Sequence, residues 1–106
     1  MGVLPRDAGY RLTGGRITTA GKITSYTGTG ISSPAEITAG PDGALWFTSN
    51  GNNSIGRITT AGQVTIYALP GNQDFPVGIA AGPDKAMWFT DNGNNSIGRI
   101  TTAVAR

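Results

Sequence analysis

Apolar residues along this chain recur with the two-residue period of strands buried on one face, and no segment shows a helical rhythm. The period is clear in "AEITA" at 35–39 and "QVTIYAL" at 63–69. In "ALWFTS" at 44–49 both faces carry large residues, Leu45 and Phe47 on one and Trp46 and Thr48 on the other. "SIGRITT" at 54–60 completes a set of four short strands, a to d in the order a (35–39), b (44–49), c (54–60) and d (63–69). Turn signals separate them. "GPDG" has a proline that presets the first turn dihedral and a glycine, Gly43, suited to a left-handed position. "NGNN" at 50–53 is rich in residues that tolerate positive φ, and Ala61-Gly62 closes the last hairpin.

The pattern is written more than once. "GPDGALWFTSNGNNSIGRITTA" from Gly40 returns as "GPDKAMWFTDNGNNSIGRITTA" from Gly82, with 19 of 22 positions identical. Arg16, Arg57 and Arg99 share the phrase "GRITTA" at offsets of 41 and 42, and Trp46 and Trp88 lie 42 apart. Strand a recurs as "VGIAA" at 77–81, and an earlier d strand reads "KITSYT" at 22–27. Lys85 replaces the turn glycine of the first copy, at an expected cost of up to about 1 kcal/mol if the position is left-handed.

A period near 42 fits a four-stranded propeller blade or a helical repeat pair. Seventeen glycines and abundant Thr and Asn exclude the helical option. The sequence therefore predicts an all-β chain of β-propeller blades, four-stranded antiparallel sheets of period 41–42, about two per chain. Residues 15–106 read as c–d, then a–b–c–d, then a–b–c. Residues 1–14 read as an N-terminal extension, disorder being one expectation for it. Strand d at 22–27 is suited to finish the sheet begun at 77–102, which makes the first c strand surplus and predicts displacement of residues 1–20.

Composition narrows the chemistry. Eight basic and six acidic side chains give a net charge of +2, spread along the chain without a basic run, which argues against nucleic-acid binding. With no cysteine there are no disulfides and no thiolate metal sites. With no histidine, the commonest general base and metal ligand is missing. No signal-peptide or membrane-spanning pattern occurs, so the chain as written reads as cytoplasmic, although a secreted parent would leave the same residues.

The "GPDG-x-LWFT…IGRIT" phrase resembles the blade repeat of the streptogramin B (virginiamycin B) lyase family and, more loosely, NHL-type propeller repeats. The resemblance covers residues 15–106. It implies a seven-bladed propeller that opens a cyclic depsipeptide antibiotic by elimination, with Mg²⁺, His and Glu at one mouth of the central channel. The family often reads Pro-His-Gly-Ile at the start of strand a, where this chain has "PAEI" and "PVGI", so Ala35 and Val77 stand at the histidine position. The family often places Glu after "WFT"; here those sites hold Ser49 and Asp91.

Three functions remain open at this point. The first is a non-catalytic propeller module, a scaffold or weak binder, with Glu36, Ser49 and Asp91 as candidate ligand-binding residues at the channel mouth and no cofactor. The second is a lyase-like carbon–oxygen lyase in which Glu36 and Asp91 help hold Mg²⁺. The third is a lectin-like module using Trp46 and Trp88 as an aromatic platform for carbohydrate. For each tryptophan, packing between neighbouring sheets is the simpler role. The three arginines are expected to make inter-blade hydrogen bonds. The "DNGNN" run at 91–95 lacks the spaced acids of a calcium loop and reads as a turn. Two blades do not close a propeller. The chain is therefore expected either to belong to a longer propeller or to form a homo-oligomer, a trimer before a tetramer, with no membrane partner.

Overall fold

The computed structural model describes residues 14–28, 30–71 and 75–102. Among them lie nine strands and no α-helix. They are β1 (Gly14–Ile17), β2 (Ile23–Tyr26), β3 (Pro34–Ala39), β4 (Leu45–Ser49), β5 (Ser54–Ile58), β6 (Val64–Ala68), β7 (Pro76–Ala81), β8 (Ala86–Asp91) and β9 (Ser96–Thr101). They form three antiparallel meanders: a β1–β2 hairpin, the sheet β3–β4–β5–β6 and the sheet β7–β8–β9. The fold is all-β, and each strand falls within two residues of where the period-two pattern places it. The expected extension at 1–14 lies outside the described residues except for Gly14. Of the stretch 1–20 expected to be displaced, residues 1–13 lie outside the described residues, and β1 pairs with β2 from Gly14↔Tyr26 to Ile17↔Ile23.

The turns behave as their residues require. Gly43 has φ 86° and Lys85 φ 67°, so both copies of the β-turn after strand a use a left-handed residue. In the "NGNN" connections, Asn53 (φ 54°) and Asn95 (φ 59°) take the left-handed position, which asparagine tolerates better than most residues. A short 3₁₀ turn, Asn50–Asn52, precedes the first of them.

Alternation along β4 gives its sheet two apolar faces. Trp46 and Thr48 face β7–β9, while Phe47 lies across Gly56, its partner in β5. A Cβ at Gly56 would collide with the Phe47 ring, and Gly98 stands in the same relation to Phe89. The core forms where the two larger sheets meet. Trp46 and Ile55 from one sheet pack with Ile79, Met87 and Phe89 from the next, and Tyr67, Leu69 and Ile100 close the edges. Trp46 is fully buried and stacks on Tyr67, with ring centroids 5.8 Å apart. The packing role expected of this tryptophan is the one it has. Trp88, its repeat partner, remains 38% exposed.

Candidate functional site

In each large sheet, strand a carries a bulge at the point where the repeat motif begins. Pro34 pairs with Ser49 and Ile37 with Phe47, so Ala35 and Glu36 together face one residue, Thr48. The same shift in β7 places Val77 and Gly78 opposite Thr90. The threonine hydroxyl takes up the amide that the bulge releases from the ladder. Glu36 donates its N–H to Thr48 Oγ1 at 3.1 Å, and Gly78 donates to Thr90 Oγ1 at 2.9 Å. Thr48 Oγ1 in turn donates to the Val77 carbonyl at 3.1 Å, joining the two sheets at this end.

The sequence-predicted site residues cluster around these bulges, but their polar atoms are engaged in holding backbone. Ser49 is fully buried. Its Oγ accepts the Ser32 N–H at 3.0 Å and sits 2.7 Å from Asn52 Oδ1. Asn52 Nδ2 donates onward to the Gly30 carbonyl at 2.8 Å, so the pair fastens the loop that enters β3. Asp91 is 5% exposed, and its Oδ1 accepts N–H bonds from Phe75 (2.8 Å) and Gly93 (3.2 Å). It fastens the loop entering β7 as Ser49 does the loop entering β3. Glu36 is exposed and reaches the neighbouring inner strand, where its Oε1 accepts the Ile79 N–H at 3.3 Å. Ala35 and Val77 add only apolar surface.

Mg²⁺, which the family resemblance implies, would need several oxygen ligands aimed at one point. Among the described residues no three His, Cys, Asp or Glu side chains converge in that way. Asp91 accepts amide hydrogens and Ser49 is a neutral hydroxyl. This donor set does not fit the ion.

The tryptophans belong to a different constellation, which sequence reasoning missed. In β4, Trp46 Nε1 donates to Asp42 Oδ1 at 3.1 Å, Arg57 Nε donates to Asp42 Oδ2 at 2.9 Å, and the guanidinium lies 6.0 Å from the indole centroid. The second copy repeats this with Trp88–Asp84 at 3.0 Å, Arg99–Asp84 at 2.9 Å and 5.7 Å over the ring. The arginines therefore bond within their own sheet and not between blades as expected, because the "GPD" turn brings the carboxylate over strand c of the same meander. The fixed spacing of 15 residues from Asp42 to Arg57 and from Asp84 to Arg99 was the available signal. Burial pushes the Asp42 carboxyl up, but the bonds from Trp46 and Arg57 outweigh it and leave the group below its ordinary value. At Asp84 the bonds from Trp88 and then Arg99 lower it to about 2.

As platforms for a ligand the two rings differ. Trp46 leaves no surface to solvent, whereas Trp88 presents one face of its sheet together with Ile97, which is 65% exposed. On the other side of the molecule, a cleft of about 460 Å³ opens between the β1–β2 hairpin and the β3–β6 sheet. No helix among the described residues is long and apolar enough to cross a membrane.

Comparison with known proteins agrees with this architecture. The model of the virginiamycin B lyase family matches residues 11–105. Among solved structures, virginiamycin B lyase from Staphylococcus aureus is 50% identical with a TM-score of 0.78, over 84% of this chain and 31% of that one. A catalytically inactive variant of that enzyme, crystallised with quinupristin, superposes with the same values. A streptogramin B lyase structure is 52% identical at TM-score 0.78, over 84% of this chain and 30% of the other. The chain thus spans about a third of the length of the lyases it matches, and no curated protein sequence matches it. With the family match over residues 11–105 and the structural match in agreement, the chain belongs to the virginiamycin B lyase family.

Proposed function

We propose that this chain is a non-catalytic propeller module of the lyase family, a scaffold that presents blade surfaces without carrying out the elimination. The observation that carries the reading is the state of the positions where the family places its reacting groups. Elimination needs a base to remove a proton and a group to stabilise the developing charge. Here the two histidine positions are Ala35 and Val77, and the chain has no histidine elsewhere. The two acid positions are Ser49, buried and bonded to the Ser32 amide, and Asp91, bonded to the Phe75 and Gly93 amides. The Asp91 carboxylate is thereby engaged in holding the loop that enters β7.

Incubation with virginiamycin B and Mg²⁺, followed by chromatography for the ring-opened product, tests this. The expected result is product formation no faster than in buffer. Ring opening that depends on the protein and is lost in Asp91→Ala would establish the lyase reading in its place.

A further inference from the structure

The interface between the two large sheets is built from residues that the repeat supplies a second time, one blade earlier. Around Trp46 stand Tyr67 on strand d of its own sheet and Ile79, Met87 and Phe89 on the next sheet. One repeat earlier, the equivalents of these four are Tyr26, Ile37, Leu45 and Phe47. All four line the cleft between the β1–β2 hairpin and the β3–β6 sheet. The walls of a tryptophan site are therefore in place without a tryptophan between them. Their burial agrees, since Ile37 is 56% exposed where Ile79 is 8% exposed.

The complementary surface lies at the other end of the chain. Trp88 is 38% exposed where Trp46 is fully buried, and Ile97 is 65% exposed where Ile55 is fully buried. Successive residues of a strand point to opposite faces. The Trp88 face is turned away from the β3–β6 sheet, while the cleft lies on that sheet's far side. Within the described residues the Trp88 face and the cleft cannot meet, and a second copy brings the two surfaces together.

We propose that the cleft receives the β7–β9 sheet of a second copy of this chain, with Trp88 filling it and strand β2 of the receiving copy pairing with β9 as a fourth strand. The register follows from β5–β6, where Ile55 pairs with Tyr67, Arg57 with Thr65 and Ile58 with Val64. Transposed by the repeat, Ile97 meets Tyr26, Arg99 meets Thr24 and Ile100 meets Ile23. The β1–β2 hairpin already uses this register, with Arg16 opposite Thr24.

Strand β1 gives way to β9 in this exchange. Both carry Gly-Arg-Ile, so the ladder to β2 is equivalent. But β9 brings Ile97 to the position that Ile55 fills in the core, where β1 has only Gly14. A two-stranded hairpin is also marginal by itself and easily opened. Among the described residues Arg16 has neither the carboxylate nor the indole that Arg57 and Arg99 hold, so its departure breaks no ion pair. Each copy then contributes two four-stranded blades through a head-to-tail contact, which closes as a ring. Three copies give six blades and four give eight, within the range of about four to eight that propellers adopt.

Light scattering on the 106-residue chain is expected to give about three or four times its 10.9 kDa mass. A monomer at tens of micromolar overturns the proposal. Ile97→Ser changes a residue exposed in the single chain, so its circular dichroism should match the parent while assembly weakens at least about tenfold. Unchanged assembly would refute the placement. In the cysteine-free chain, Lys22→Cys combined with Thr101→Cys should give inter-chain disulfides on mild oxidation, since these residues lie opposite each other only across the proposed contact. Assembled protein that does not cross-link through this pair would mean that copies meet by another surface.

Discussion

Exchanging the residues at positions 43 and 85 isolates a single physical term. Both are left-handed, with φ 86° at Gly43 and 67° at Lys85, and both turns are closed by N–H bonds, Gly43 to the Gly40 carbonyl and Lys85 to the Gly82 carbonyl. A Cβ built on Gly43 meets nothing within 4 Å, so a side chain there adds no collision, only backbone strain. That strain is about 1–2 kcal/mol for an L-residue. Glycine offsets about 0.4–1 kcal/mol of it through the greater freedom of its unfolded chain. Lys85→Gly should therefore stabilise the fold by about 0.5–1 kcal/mol, and Gly43→Lys should destabilise it by a similar amount. With a urea slope on the order of 1 kcal/mol/M, the midpoint moves by roughly half to one molar in opposite directions with the slope unchanged. The double exchange should return within about 0.5 kcal/mol of the parent. All variants are compared at one protein concentration, because assembly shifts apparent stability. A midpoint that falls in Lys85→Gly, or stays fixed in Gly43→Lys, would show that the strain is not held at these turns.

Other consequences of the structure are open to direct measurement. Trp46→Ala removes a fully buried ring and its stack on Tyr67, and urea unfolding should register a loss of about 3–5 kcal/mol. Thr48→Val keeps the shape but strands the Glu36 amide and the Val77 carbonyl, so stability should fall by about 1–3 kcal/mol; a neutral result would mean that water replaces the hydroxyl. The Asp84 carboxyl is depressed from 3.8 to about 2, so its contribution is complete above roughly pH 4 and lost as pH falls towards 2. Asp84→Asn should accordingly flatten the decline in stability between those values, and an acid titration that is identical in both proteins would contradict the Trp88–Asp84–Arg99 geometry.

The strands were legible because each is short, alternating and bracketed by Gly, Pro or Asn, and the repeat fixed their order. The left-handed turn was legible at Lys85 because the other copy has glycine there. The inner-strand bulges were not, since "PAEI" and "PVGI" look like regular strand starts until Thr48 and Thr90 are seen bonding the released amides. The strand positions of the candidate residues were legible, and what their polar atoms bond was not. Ser49 and Asp91 stand at the ends of strand b as the resemblance implied, yet sequence cannot show that the Ser32 and Phe75 amides bond them. The Asp–Trp–Arg arrangement escaped notice because its members are separated along the chain and meet only when the turn folds over strand c.

That arrangement also bears on how such a chain is assembled over generations. Asp42, Trp46 and Arg57 all lie between the start of one turn and the end of one strand c, and Asp84, Trp88 and Arg99 repeat them. No member is borrowed from a neighbouring blade. A gene segment of one period therefore carries its own internal bracing, and copying or deleting it in register leaves every other brace intact. Recombination out of register within the segment would separate the aspartate from its arginine. Out-of-register breakpoints that are tolerated should accordingly fall outside 42–57 and 84–99, in the stretches between one strand c and the next "GPD" turn.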